Sequence, residues 1–103
     1  MADFDFRHMV ALVVDDEHMM RMLINGLLQD IGVGKVLEAG DGAEALKLLD
    51  ASQNIDIDVV ICDLEMPIVD GLEFVGFLRS SKSARNPNIP VVIVTRHGTE
   101  GGL

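Results

Sequence analysis

The stretch DVVICDLEMPIVDG, residues 58–71, decides how the rest of this chain is read. Its Val/Ile-rich run has the unbroken apolar character of a strand buried on both faces, not the alternation of a strand half exposed to water. The run closes on a carboxylate, Asp63, followed by a second acid, Glu65, and then by Met66-Pro67. One acid at a strand end is ordinary. A second acidic cluster closes another such run, VALVVDDE at residues 10–17, and the pair needs an explanation.

Working outward, Met20, Leu23, Leu27 and Ile31, with Ile24 and Leu28 beside them, follow i, i+3, i+4, i+7 spacing. That spacing predicts an amphipathic helix with this stripe inward. Gly32 stands where a left-handed C-cap is expected, and Gly34 follows in the turn. KVLEA, residues 35–39, is a short second strand, and DGAEALKLLDAS opens a second helix. Asp41 and Glu44 there have the spacing of a capping box, with Ala45, Leu48 and Leu49 inward. The third strand is residues 57–62. A third helix follows over about residues 72–79, capped or turned by Asp70, with Phe74, Val75 and Leu78 inward. SSKSARNPN, residues 80–88, reads as a polar, flexible loop that leaves Lys82 and Arg85 solvated. Pro90 opens a fourth strand, residues 91–94, where a missing amide hydrogen is tolerated.

Strands alternating with helices imply right-handed βαβ units and a parallel sheet covered on both faces, an α/β fold. Ligand sites of such sheets lie beyond the carboxyl ends of the strands. Asp15, Asp16 and Asp63 fall at those ends, and so does Thr95 after the fourth strand. One rim collects them all.

The bulk numbers bound the rest. At 103 residues the chain is read as one domain with a single core, and 49% hydrophobic against 4% aromatic residues make that core aliphatic. A net charge of -9 argues against binding nucleic acid or an anionic membrane through the bulk field. The single cysteine, Cys62, cannot form an internal disulfide, and no apolar run approaches the ~20 residues of a membrane span. A cytoplasmic protein is expected. Strand alternation turns Cys62 away from Asp63, so it reads as a small buried residue. His8, His18 and His97 have no ligand spacing and read as solvated. Met19, Met20 and Met22 read as one inward residue and two on the surface.

Three clustered carboxylates repel; a pair ~4 Å apart costs about 4 kcal/mol at an effective dielectric of ~20. The cluster persists if a group protonates or a cation neutralises it. Hard oxygen donors, few in number, suit Mg²⁺. A carboxylate beside Mg²⁺ can act as a nucleophile toward phosphorus, and a hydroxyl such as that of Thr95 can donate to a phosphoryl oxygen. Taken alone, Asp15 and Asp16 equally suit an N-cap and first-turn acids, and Glu65 suits a solvent-exposed loop acid.

VVDDE, CDLEMPIVDG and VIVT, in that order after the first, third and fourth strands, resemble the receiver domains of two-component response regulators, close to chemotaxis-type receivers. The resemblance runs from Met9 to about Gly98. It implies a flavodoxin-like, doubly wound sheet of order 2-1-3-4-5. It makes Asp63 the phosphoacceptor, supplied from a phosphohistidine on a histidine kinase or phosphotransfer protein. Asp16 would then bind Mg²⁺ directly, Asp15 through water, and the backbone carbonyl of Glu65 would complete the protein ligands. Thr95 would be the switch hydroxyl, Met66-Pro67 would shape the loop, and Gly71 would give the turn into the third helix its freedom.

Departures from the family pattern lie at the far end. The family's lysine and aromatic switch residue, the fifth strand, and helices four and five have no counterpart before Leu103, so the receiver is expected to be incomplete there. Lys82 is misplaced to substitute, and Arg96 is bulky where the family is small. A bare fourth-strand edge is expected to promote dimers or strand-exchanged oligomers. Two other classes stay open. One is a degenerate receiver acting as a protein-interaction scaffold; the other is a phosphohydrolase of the haloacid-dehalogenase type, which also spaces its acids as Asp63 and Glu65 are spaced.

Overall fold

The computed structural model describes residues 5–95. Arg96 and His97 lie outside the described residues. The elements are β1 (Val10–Val14), α1 (His18–Asp30), β2 (Lys35–Ala39), α2 (Gly42–Leu49), a 3-10 turn (Ala51–Gln53), β3 (Val59–Asp63), α3 (Gly71–Arg79) and β4 (Val91–Val94). The strands form one parallel sheet of order β2-β1-β3-β4. Every strand therefore points its carboxyl end at the same rim. Register sets Val14 opposite Cys62, and Asp63 opposite Val94.

The pleat divides the sheet residues between two faces. Leu12, Val14, Val60 and Cys62 pack with Ala45 and Leu49 of α2 and Phe74 and Leu78 of α3 into the main core. Ala11 and Val13, equally buried, face the other way, where α1 lies against β1 and β2. The caps explain where the helices stop and start. Gly32, at φ 95, ends α1: its amide donates to the Gln29 carbonyl and the Val33 amide to that of Leu28, closing a Schellman motif. The Asp41 carboxylate accepts from the Glu44 amide at 2.8 Å, one half of the expected capping box. The full reciprocal box forms at Asp70 and Glu73 instead.

Two expectations change. Of the apolar stripe expected on α1, only Met20, Ile24 and Leu28 are half-buried, whereas Leu23, Leu27 and Ile31 are 57%, 57% and 60% exposed. Among the described residues the helix packs chiefly on β1 and β2, so its apolar stripe is wider than the surface they offer it. The segment 80–88 is polar but tied down. Ala84 bridges to Asp50, the Ala51 amide donates to the Ser83 carbonyl at 2.9 Å, and the Arg85 amide to the Leu49 carbonyl at 2.9 Å. Arg85 also pairs through its side chain with Asp56.

Candidate functional site

The rim gathers the acids because β1 and β3 are neighbours whose ends are in register. Asp15 and Asp63 are buried, 2% and 3% exposed, while Asp16 faces solvent. One carboxylate oxygen from each of the three lies within 4.8 Å of the others. Sequence spacing anticipated this meeting. Local bonds fix the buried pair: Asp15 Oδ1 accepts from the Glu17 amide at 2.9 Å, and Asp63 Oδ1 from the Glu65 amide at 3.2 Å. Glu65 itself projects to solvent. Thr95 sits one residue beyond Val94, the strand partner of Asp63, and is exposed.

Burial pushes the Asp63 carboxyl above the ordinary carboxylate value of 3.8; the Glu65 amide opposes this, and the charges of Asp15, Asp16 and Glu65 add to it. For the buried pair at this separation the repulsion is on the order of 3 kcal/mol at an effective dielectric of about 20. Cys62 behaves as the alternation implies. Its thiol is fully buried, and desolvation, then the charges of Asp63, Asp15 and Asp70, push it up to about 12. It is therefore an inert packing residue whose Sγ donates to the Asp63 carbonyl.

Two features of the site go beyond the sequence reading, one in its residues and one in its physical cause. Arg21, on the first turn and a half of α1, donates from Nη1 to the Asp15 carbonyl at 2.6 Å and from Nε to Glu38 Oε1 at 3.0 Å. Asn25 holds the other Glu38 oxygen at 2.9 Å. This network clamps α1 to the strand end that carries Asp15 and Asp16. The available signal was Glu38, an acid inside an otherwise apolar strand, matched by a lone base one helix away.

The second feature is Gly71, expected to supply conformational freedom. Among the described glycines only Gly32 has a positive φ. Gly71 matters for space: a Cβ there would stand 2.5 Å from the Asp63 carbonyl oxygen and 2.9 Å from Leu64 Cα. Its amide donates to the Leu64 carbonyl at 2.8 Å, so the first turn of α3 lies directly on the backbone behind Asp63.

The donor set fits Mg²⁺. All candidate side-chain donors are hard carboxylate oxygens, and their 4.8 Å span is a fraction of an ångström wider than the ~4.2 Å between opposite oxygens around Mg²⁺. A soft or tetrahedral metal would find no thiolate or imidazole here among the described residues.

Comparison with known proteins agrees with this geometry. Residues 11–101 match the family model described as the response regulator receiver domain. Chemotaxis protein CheY1 of Helicobacter pylori is 44% identical over 94 residues, covering 91% of this chain and 70% of that protein. A protein-glutamate methylesterase/protein-glutamine glutaminase of Halobacterium salinarum is 40% identical over 90 residues, which are 87% of this chain but 24% of that protein. Among solved structures, the receiver domain of the histidine kinase CKI1 from Arabidopsis thaliana, complexed with Mg²⁺ and BeF3⁻, superposes with a TM-score of 0.74 at 28% identity. That superposition covers 93% of this chain and 72% of that one.

Proposed function

The chain belongs to the response regulator receiver family, and from that premise we propose that it takes a phosphoryl group from a phosphohistidine onto Asp63 in a two-component pathway. The observation that carries this reading is the convergence of Asp15, Asp16 and Asp63 at one rim. In the proposed step an Oδ of Asp63 forms the new O–P bond while the donor's P–N bond breaks, and the imidazole nitrogen leaves with the electron pair. Asp63 suits the nucleophile because it ends a buried strand, with one oxygen anchored by the Glu65 amide and its backbone backed by Gly71.

Asp16, Asp63, the backbone carbonyl of Glu65 and, through water, Asp15 would hold Mg²⁺, which when bound offsets the negative charge of acceptor and donor. The Thr95 hydroxyl, one residue beyond the strand partner of Asp63, would follow the new charge: it donates to a phosphoryl oxygen, and its displacement carries the signal to the surface. Phosphorylation adds close to two negative charges at Asp63, and switching needs that charge to favour one of two packings of the loops. The chain's own chemistry is then limited to making and losing its acyl phosphate. Its donor is a histidine kinase or phosphotransfer protein.

Incubation with acetyl phosphate and Mg²⁺, followed by peptide mass mapping, tests the reading. One phosphoryl group on Asp63 is expected; equal labelling of Asp63→Ala overturns it. A scaffold without phosphorylation has no use for three converging carboxylates, and would show no Mg²⁺ dependence at all.

A further inference from the structure

Residues 80–88 are polar, yet they are pinned at the end of the sheet opposite the acidic rim, where phosphoryl chemistry makes no use of them. Besides the bonds to Leu49 and Ala51, Arg79 Nη1 donates to the Pro87 carbonyl at 2.8 Å and to the Ile89 carbonyl at 2.6 Å. The Ile89 amide donates to the Asn86 carbonyl at 3.2 Å. Across from them, the residues entering β3 are fixed to β1: the Val10 amide donates to Asp58 Oδ2 and the Asp58 amide to the Val10 carbonyl, each at 2.8 Å. The two held segments face each other across a hollow of about 280 Å³. Pre-formed walls are common to small-ligand sites, and this volume stands at the small end of their ~300–1,000 Å³ range.

The lining is apolar within and charged at the mouth. Leu49, Ile57 and Ile89 are buried and Ile55 is half-buried, and these four form the floor. Asp56, Asp58, Arg85 and Asn86 are exposed and form the mouth, and each keeps hydrogen-bonding capacity there. Arg85 gives Nε to Asp56, and its two Nη groups meet no acceptor among the described residues. Asn86 Oδ1 accepts from the Asn88 amide at 3.0 Å, which leaves Nδ2 to donate. Asp58 Oδ1 and Asp56 Oδ2 have no protein donor among the described residues.

A ligand here must answer both signs of charge. A simple anion would sit beside two carboxylates on a chain of net charge -9, and a simple cation would sit beside the Arg85 guanidinium. A zwitterion satisfies both, and its zero net charge makes it indifferent to the overall field. Because both signs stand at one mouth over one apolar floor, the ammonium and carboxylate must share one end of the molecule and an aliphatic group must form the other. That is the form of an α-amino acid. At the ~30 Å³ that a water molecule takes in the liquid, the hollow holds roughly nine such units, about the heavy-atom count of leucine.

We propose that this hollow binds a branched aliphatic amino acid, with Arg85 and Asn86 holding the carboxylate, Asp56 and Asp58 the ammonium, and the Leu49, Ile55, Ile57 and Ile89 floor the side chain. Asp58 lies roughly 16 Å along β3 from Asp63, at ~3.3 Å per residue, so the ligand does not touch the acidic rim. The site stands independently of the phosphoacceptor reading.

Titration of L-leucine into the isotope-labelled 103-residue chain, followed by amide chemical shifts, tests the proposal. Shifts confined to residues 49–58 and 84–89, half-saturating at roughly 0.1–1 mM, are expected for so small a ligand. 4-Methylpentanoate lacks the ammonium, leucinamide the carboxylate and glycine the side chain, and each should bind about tenfold more weakly or worse. The same loss is expected for L-leucine on Arg85→Met and on Asp58→Asn. The first variant keeps the main-chain bond to Leu49, the second keeps an oxygen for the Val10 amide, and unchanged amide shifts around Asp15 and Asp63 report that they fold. No saturable shift by about 10 mM leucine, an analogue that binds within about threefold of leucine, or a folded variant that binds within about threefold of wild type overturns the proposal. The analogue series uses the wild type alone, so it decides the matter even where a variant does not fold.

Discussion

Asp63 is held in a place that favours its protonated form, and the consequence can be measured. Its folded carboxyl titrates above the ordinary 3.8, so the folded chain holds more protons than the unfolded one between those two values. The stability of the metal-free protein therefore falls as pH rises through that window and is lowered by this group at neutral pH. Asp63→Asn removes the effect: urea melts at pH 7 without Mg²⁺ should show it more stable by about 1–3 kcal/mol, the scale of one relieved like-charge pair. That advantage shrinks as the pH is lowered toward 4. At Ile68, an exposed residue at φ 71, replacement by Asn should stabilise by about 1 kcal/mol, the strain of left-handed backbone, read as a Tm higher by several degrees. Gly71→Ala acts the other way. Its Cβ would meet the Asp63 carbonyl oxygen at 2.5 Å, and a loss of about 1–3 kcal/mol in denaturant melts is expected as the strand end is pushed aside. The acids were legible in the sequence because a charge at the end of an apolar run is conspicuous. Gly71 was identified but for the wrong reason, since a sequence displays freedom of φ and hides the closeness of a neighbour. The backbone of Ile68 was not legible at all, because nothing in an isoleucine signals left-handed geometry.

Among the elements, the strands were the easiest to read, since unbroken Val/Ile runs ending on acids or on threonine admit few alternatives. Helix α1 was found but turned. Its apolar residues span Met20, Leu23, Ile24, Leu27, Leu28 and Ile31, a stripe broad enough that periodicity alone does not say which edge meets the sheet. The orientation is set by Arg21 and Asn25, which face Glu38 of β2 and the end of β1. Replacing Arg21 by Met keeps the stem and removes these bonds. Because the pair is partly buried, the loss should be about 1.5–3 kcal/mol, with weaker Mg²⁺ binding since the Asp15 carbonyl is no longer held. Calorimetric Mg²⁺ affinity separates that role from a purely structural one. The segment before β4 was misread as flexible because its anchors are main-chain bonds to residues far away in sequence, around Leu49 to Ala51, which composition does not register.

For the whole molecule, the described surface carries apolar residues that would rather be covered. Leu23, Leu27 and Ile31 of α1 are exposed, and among the described residues β4 pairs only with β3, while Val92 is 50% exposed on the same side of the sheet as α1. Self-association through this apolar face is expected of the 103-residue chain despite the acidic charge. Light scattering should show an apparent mass rising with concentration, reduced by Val92→Lys or Leu27→Glu; a constant monomer at high concentration contradicts it. Mg²⁺ bound at the rim would act through mass action, with an expected gain in stability of about 2.7 kcal/mol at a hundredfold excess over Kd. Beneath both the chemistry and the switch lies one claim, that the carboxylates of Asp15, Asp16 and Asp63 form a single divalent-ion site. Isothermal titration of Mg²⁺ into the wild type and into Asp16→Asn and Asp63→Asn tests it directly. One ion per chain, with affinity lost in both variants, is the predicted result; an isotherm that both substitutions leave unchanged, or no binding to the wild type, would contradict it.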